Sequence, residues 1–277
     1  MHDPYGPPLM RKGPLVRAAF VQRPNRFLGI VRLLEDWADT PAGAEVRAHI
    51  ADPGRLKELL VLGAQVRLAP ALGAETGSAG VPGAATSAAT KRSTAFSVAM
   101  VEYGGVLVSI DSGVPNRLVR EALRAGAFPG ICCPAEPARG AGGKRRVQSE
   151  YAWGKSRFDF RLQEDGKPDC LVEVKSVTLV VDGIALFPDA PTQRGARHMR
   201  ELAEAARQGL RGAVVFVIQR PDAFAFAPNV AMDPAFADAL QEAAGVGAKV
   251  IAVKCDVTES SIRMVDQVEV RLRPHDG

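Results

Sequence analysis

The stretch from Glu150 to Lys175, EYAWGKSRFDFRLQEDGKPDCLVEVK, places acids and a lysine at a spacing suited to hydrolysis. In SRFDFRL, strand alternation puts Phe158, Phe160 and Leu162 on one face and Arg157, Asp159 and Arg161 on the other. In CLVEVK it groups Cys170, Val172 and Val174 opposite Leu171, Glu173 and Lys175. The intervening QEDGKPD is turn sequence, so the two strands form an antiparallel hairpin. A tight two-residue turn at Asp165-Gly166 would set Asp159 against Val172, a charged face beside an apolar one. Burial of Phe158 and Phe160 forbids that arrangement, because a one-residue slip flips every side chain. An odd-length turn centred on Gly166 instead aligns Phe160 with Val172 and Asp159 with Glu173. Directly opposed residues have Cβ atoms about 4.5–5.5 Å apart, so two carboxylates and the ammonium of Lys175 share one polar face.

Opposed carboxylates repel unless something neutralises them. A hard cation does so through oxygen ligands; Mg²⁺ takes one or two carboxylates and completes its shell with waters and substrate phosphate, and Mn²⁺ accepts the same donors. Such an ion polarises a scissile phosphate and lowers the pKa of a bound water, while Lys175 stabilises the attacking hydroxide or the developing charge. Glu150, on the approach to the hairpin, offers a third carboxylate. The same pattern also describes a solvated face held by cross-strand ion pairs. What favours chemistry is that the apolar faces force the register that brings Asp159 and Glu173 together.

Other motifs are weaker. His2, His49, His198 and His275 have no metal-binding spacing, and His198, on a helix, reads as a partly exposed structural residue. No GxGxxG after a strand, GxxxxGK[ST] or GxSxG occurs, which removes the usual support for nucleotide-dependent and serine-hydrolase chemistry. Trp37 and Trp153 read as packing residues before base-stacking ones.

Two kinds of organisation position these residues. From Leu15 to about Leu68, short β-like runs (VRAAFVQ, RFLGIVRLL, EVRAHI, QVRLA) surround one short helical candidate, GRLKELL, a pattern that suggests a small barrel. PALGAETGSAGVPGAATSAAT, from Pro70 to Thr90, has no apolar period and reads as a mobile loop. Beyond it, strands at AFSVAMVE, GVLVSID, SRFDFRL, CLVEVKSVTLVV, AVVFVIQ and KVIAVKCDV alternate with helices near Asn116–Arg124, Arg194–Gln208 and Pro234–Ala244, which indicates an α/β domain. Thr192 suits the N-cap of the second helix and Gly209 its end. The boundary is expected at 92/93, giving domains 1–92 and 93–277.

The chain of 277 residues is long enough for two cores. With 47% hydrophobic and 24% charged residues it is neither disordered nor collagen-like, and no apolar run is long enough to span a bilayer. The net charge of +4 suits a polyanionic partner without requiring one. The N-terminus lacks a secretory pattern and the four cysteines form no CxxC pair, so a cytoplasmic protein with reduced, structural thiols is expected.

Several ordered segments together resemble the sugar fermentation stimulation protein A family through most of the chain. They are NRFLGIV at Asn25, HIADPGRLKELL at His49, DSGVPNRLVREAL at Asp111, EYAWGKSRFDF at Glu150, EVKSVTL at Glu173 and FPDAPTQRGARHMREL at Phe187. The resemblance implies an N-terminal OB-fold-like barrel followed by a PD-(D/E)XK nuclease-like α/β domain with a mixed sheet. It further implies that Asp159, Glu173 and Lys175 form the nuclease triad, with Glu150 as the upstream acid. The departures are the insertion at Pro70–Thr90 and ADPGR where many members read closer to PNTGR.

An OB-fold of this kind would track single-stranded or distorted nucleic acid, DNA foremost and RNA second, with Arg26, Arg55 and Lys57 as its basic contacts. In the second domain Lys155, Arg157 and Arg194 are the expected phosphate contacts. The expected activity is Mg²⁺- or Mn²⁺-dependent cleavage of DNA or RNA. The rival reading is a non-cleaving DNA-binding regulator of sugar metabolism, and a hydrolase of small phosphate esters stands third.

Overall fold

The computed structural model describes residues 5–11, 13–71, 94–128, 130–132 and 145–272. They form two compact units, one of Arg11–Asp111 and one of Met1–Met10 with Ser112–Gly277. Strand β1 (Leu9–Met10) comes first in the chain. The Arg11–Asp111 unit then holds β2 (Val16–Asn25), β3 (Leu28–Leu33), β4 (Glu45–Ile50), β5 (Gln65–Pro70), β6 (Phe96–Tyr103) and β7 (Val106–Ser109). The other unit continues with α1 (Gly113–Ala125), β8 (Arg145–Trp153), β9 (Ser156–Glu164), β10 (Cys170–Val177), β11 (Val180–Val181) and β12 (Ile184–Phe187). It ends with α2 (Gln193–Arg207), β13 (Arg211–Ile218), β14 (Ala225–Pro228), α3 (Pro234–Gly245), β15 (Lys249–Val257), β16 (Ser261–Gln267) and β17 (Glu269–Val270).

In the first unit the strand order is β4-β3-β2-β5-β6-β7, and a parallel pairing of β4 with β6 closes it into a five-stranded barrel, as expected for an OB-like fold. Alternation along β2 sends Val16, Ala18 and Phe20 inward, where they meet Val31, Ile50, Leu68 and Val101. Because β6 pairs with both β5 and β4, it is the closing strand of the barrel. The chain therefore divides at Asp111/Ser112, and the expected boundary at 92/93 is corrected. The Ala/Gly-rich insertion falls within the barrel unit instead of between units. That segment, expected as a loop at Pro70–Thr90, lies outside the described residues beyond Ala71. GRLKELL is not a helix either: the amides of Leu59 and Leu60 both bond the Leu56 carbonyl in a single turn. A segment this short does not repay helix nucleation, and burial of Leu56 and Leu59 in the barrel core fixes it instead.

The second unit is built on a seven-stranded mixed sheet, β1-β16-β15-β13-β10-β9-β8, in which β10, β13 and β15 run parallel. The unbroken apolar run of β13, buried from Gly212 to Ile218, is the signature of a central parallel strand covered on both faces. A smaller sheet, β11-β12-β14-β17, completes the unit. Helix α2 buries Met199, Leu202 and Ala203 in a core shared with Phe216 and Phe236. Thr192 caps α2 through its hydroxyl, which accepts from the Gly195 amide at 2.9 Å, and Gly209 leaves the helix at φ 87°. The segment before the barrel belongs to this unit: Tyr5 packs edge-on against Phe128, and β1 pairs with β16. Cys132, Cys170 and Cys255 are buried free thiols, and burial pushes Cys170 up to about 12, so it is inert as a nucleophile. Among the described residues no helix is long and apolar enough to cross a membrane.

Candidate active site

Strands β9 and β10 pair antiparallel with Phe160 opposite Val172 and Cys170 opposite Leu162, the register forced by their apolar faces. Gly166, at φ 73°, sits at the centre of the connection. Phe158, Phe160 and Leu162 are all buried, while Arg157 is exposed and Asp159 half-buried. The backbone ladder stops at Phe160–Val172, and a side chain takes over: Asp159 Oδ2 accepts from the Val174 amide at 2.8 Å. The other oxygen, Oδ1, accepts from Asn116 Nδ2 of α1 at 2.7 Å.

Glu173 is 3% exposed. Its Oε1 accepts from Lys175 Nζ at 2.5 Å and from His198 Nδ1 at 2.6 Å, whereas its Oε2 is buried with no hydrogen-bond partner. With Nδ1 donating, His198 Nε2 is left to accept from Arg194 Nε at 3.4 Å, so one proton arrangement satisfies the whole chain of contacts. The two carboxylates are driven apart electrostatically. Burial, and then the charge of Glu173, raise the pKa of Asp159. Burial acts to raise Glu173 as well, but Lys175 and His198 outweigh it and hold Glu173 below its usual range.

The solvated-face reading of Asp159, Glu173 and Lys175 does not survive this burial. The buried, unpartnered Oε2 of Glu173 and the remaining lone pairs of Asp159 fit a hard cation that takes two carboxylates and fills its shell with water and phosphate. Glu150 does not complete a triad of acids: among the described residues no group of three His, Cys, Asp or Glu gathers at metal-binding separation. Glu150 is exposed, holds a left-handed backbone conformation (φ 57°) within β8, and turns its carboxylate to Arg157 at 2.6 Å.

A polar cleft of about 520 Å³ opens beside Asp159 and His198, lined also by Glu150, Lys155, Arg157, Arg194 and Arg197. Glu173 and Lys175 do not line it; Glu173 connects to it through His198, whose Nδ1 bonds its Oε1. All three expected phosphate contacts of this domain thus meet in one place. Lys155 is aimed by a two-residue turn: Gly154 adopts φ 59°, and the Lys155 amide is anchored to Glu201 Oε1 of α2 at 3.1 Å. Arg197 was not singled out in the sequence; lying one turn from Arg194 on α2, it is reached by the i, i+3 spacing. His198 and Asn116 were also missed as site residues, and His198 is buried rather than partly exposed. Its position four residues after Arg194 was the available signal. In the barrel, Arg26, Arg55 and Lys57 are all exposed, at or near the tip of the β2–β3 hairpin.

Residues 21–110 match the SfsA N-terminal OB domain, and residues 113–261 match the sugar fermentation stimulation protein RE domain. The chain belongs to the sugar fermentation stimulation protein family. A family homologue of Moorella thermoacetica is 43% identical over 258 residues, covering 93% of this chain and 97% of its own length. One of Chloroflexus aurantiacus is 46% identical over 97% of this chain and 90% of its own. The solved structure of Pyrococcus furiosus SfsA in complex with Ca²⁺ is similar at a TM-score of 0.75 and 26% identity, over 96% of this chain and all of that one. The first unit is accordingly an OB barrel and the second an α/β domain.

Proposed function

We propose that this family member binds nucleic acid, DNA foremost, and hydrolyses its phosphodiester bonds with Mg²⁺ or Mn²⁺, its second unit acting as a PD-(D/E)XK nuclease-like domain. The observation that carries this reading is the meeting of Asp159 and Glu173 with Lys175, one buried Glu173 oxygen being left without a partner. Asp159 and Glu173 would hold the cation, which supplies charge neutralisation and a water acidified for attack. Lys155, Arg157, Arg194 and Arg197 hold the phosphates in the cleft and fix the strand against Asp159. Lys175 keeps its ammonium at the carboxylate edge, where it offsets negative charge developing on the phosphate. Asn116 and the Val174 amide lock the Asp159 rotamer, and His198 does the same for Glu173. The calcium bound by the Pyrococcus furiosus relative is a hard, oxygen-seeking ion of the kind this donor set suits.

One observation favours the rival, a non-cleaving DNA-binding protein: Glu173 Oε1 is already paired within the fold, with the Lys175 ammonium and the His198 N–H. Incubation of the protein with labelled single-stranded and duplex DNA and RNA in Mg²⁺, Mn²⁺ or chelator decides between them. Metal-dependent cutting that is lost in a folded Asp159→Ala variant is the expected result. Binding without cutting in either metal rejects the nuclease.

A further inference from the structure

The tip of the β2–β3 hairpin holds an aromatic pair in an unusually determined setting. Phe27 is 50% exposed, and its ring lies nearly parallel to that of His49, with 19° between planes and 6.4 Å between centroids. It takes no part in the barrel's core cluster. Yet the backbone that carries it is tied down on every side. The Phe27 amide donates to Asn25 Oδ1 at 2.9 Å, and its carbonyl accepts from the Ile50 amide at 3.0 Å and from His49 Nδ1 at 3.1 Å. The Arg23 guanidinium donates to four carbonyls, those of Gly54, Arg55, Arg26 and Asp52, at 2.7–3.0 Å, and so joins the hairpin tip to the segment that carries Arg55 and Lys57.

Exposed cations are carried by the same segments as the two rings, or by the segment tied to them. Arg26 adjoins Phe27, Arg47 shares the strand face of His49, and Arg55 and Lys57 extend from the tied segment, all four exposed. An exposed aromatic ring contributes little to folding, so a rigid tip that holds one among four cations is explained by a planar, anionic partner. A duplex buries its base faces in its own stack; an unpaired strand offers both a face to each ring and a phosphate to each cation.

We propose that Phe27 and His49 form a stacking platform for unpaired nucleotides of a single nucleic-acid strand, with Arg26, Arg47, Arg55 and Lys57 holding the flanking phosphates. The inference rests on the nucleic-acid-binding part of the proposed function and is independent of cleavage.

The test is binding in chelator, where no cutting occurs, of the full chain to fluorescent oligothymidylate, oligouridylate and a DNA duplex. Phe27→Ala is expected to weaken single-strand binding about five- to a hundredfold and to leave duplex binding unchanged. Phe27→Leu, which keeps the apolar bulk without the ring face, behaves like Phe27→Ala. Phe27→Trp retains affinity, and its emission is quenched by the single strand beyond the quenching of the wild type. Thermal unfolding confirms that each variant is folded. Tighter binding of oligouridylate would keep the platform and make its strand RNA. Equal affinity of wild type and Phe27→Ala for both single strands, no added quenching in Phe27→Trp, or no single-strand binding by the wild type overturns the proposal. A wild type that binds oligothymidylate through Phe27 but cuts nothing in Mg²⁺ or Mn²⁺ removes the nuclease and leaves the platform standing.

Discussion

In the second unit the site's acids are buried or half-buried and held by the fold: Glu173 is bracketed by Lys175 and His198, and Asp159 by Asn116 and a backbone amide. In the barrel the side chains of Arg26 and Lys57 stand in solvent, and it is the backbone beneath them that is held, by Arg23. Charge removed from water is strong and interdependent, so changes there are large and non-additive. Solvated charge is weak and screened, so each contact is small and the contacts sum. Chemistry at one phosphate needs the first arrangement, and tracking many phosphates needs the second.

The largest effect expected from this contrast is on cleavage. Asp159→Ala and Lys175→Ala each reduce metal-dependent cutting by about a thousandfold or more while affinity in chelator changes little, measured by single-turnover cleavage beside anisotropy. Equal losses of affinity and cutting would erase the division between the units. Next, His198→Ala lowers kcat about ten- to a hundredfold with little change in KM, and a stability loss of about 1.5–3 kcal/mol accompanies it. His198→Asn, which retains a donor, recovers part of both.

A smaller effect concerns pH. Because burial and Glu173 raise the pKa of Asp159, the folded chain binds that proton more tightly than the unfolded chain. The resulting stability is present at low pH and is lost as pH rises from the ordinary carboxylate range through the raised value. Asp159→Asn cannot lose it. In chelator, the Tm of that variant relative to wild type therefore climbs by a few degrees from about pH 4 to about pH 7, and a flat difference would show that Asp159 carries no such penalty. The smallest effects belong to the barrel's exposed cations. Arg26→Ala or Lys57→Ala weakens oligothymidylate binding only two- to fivefold, and each lowers the slope of log affinity against log salt by roughly 0.7.

The hairpin of the site was legible because its two strands are amphipathic in a way that admits one register, so Phe160 and Val172 alone determine where Asp159 and Glu173 meet. His198 and Asn116 were not, since their roles depend on how α2 and α1 pack against that hairpin, which local periodicity does not encode. The barrel boundary was misplaced for a related reason. The low-complexity insertion looks like punctuation between domains, whereas β6 is assigned by its partners β4 and β5, far away in sequence. Glu150 has the right residue type and nearly the right position, but its left-handed backbone and its pairing with Arg157 are not written in the spacing.

The pairing of β1 with β16 has a consequence for how the protein is made and cut. Leu9 and Met10 leave the ribosome roughly 250 residues before their partners Ser261 and Ile262, so β1 is seated only after most of the second unit has been made. A fragment beginning at Ser112 would carry every side chain of the candidate active site and still lack Tyr5 and β1, leaving β16 as a bare sheet margin open to edge-to-edge aggregation.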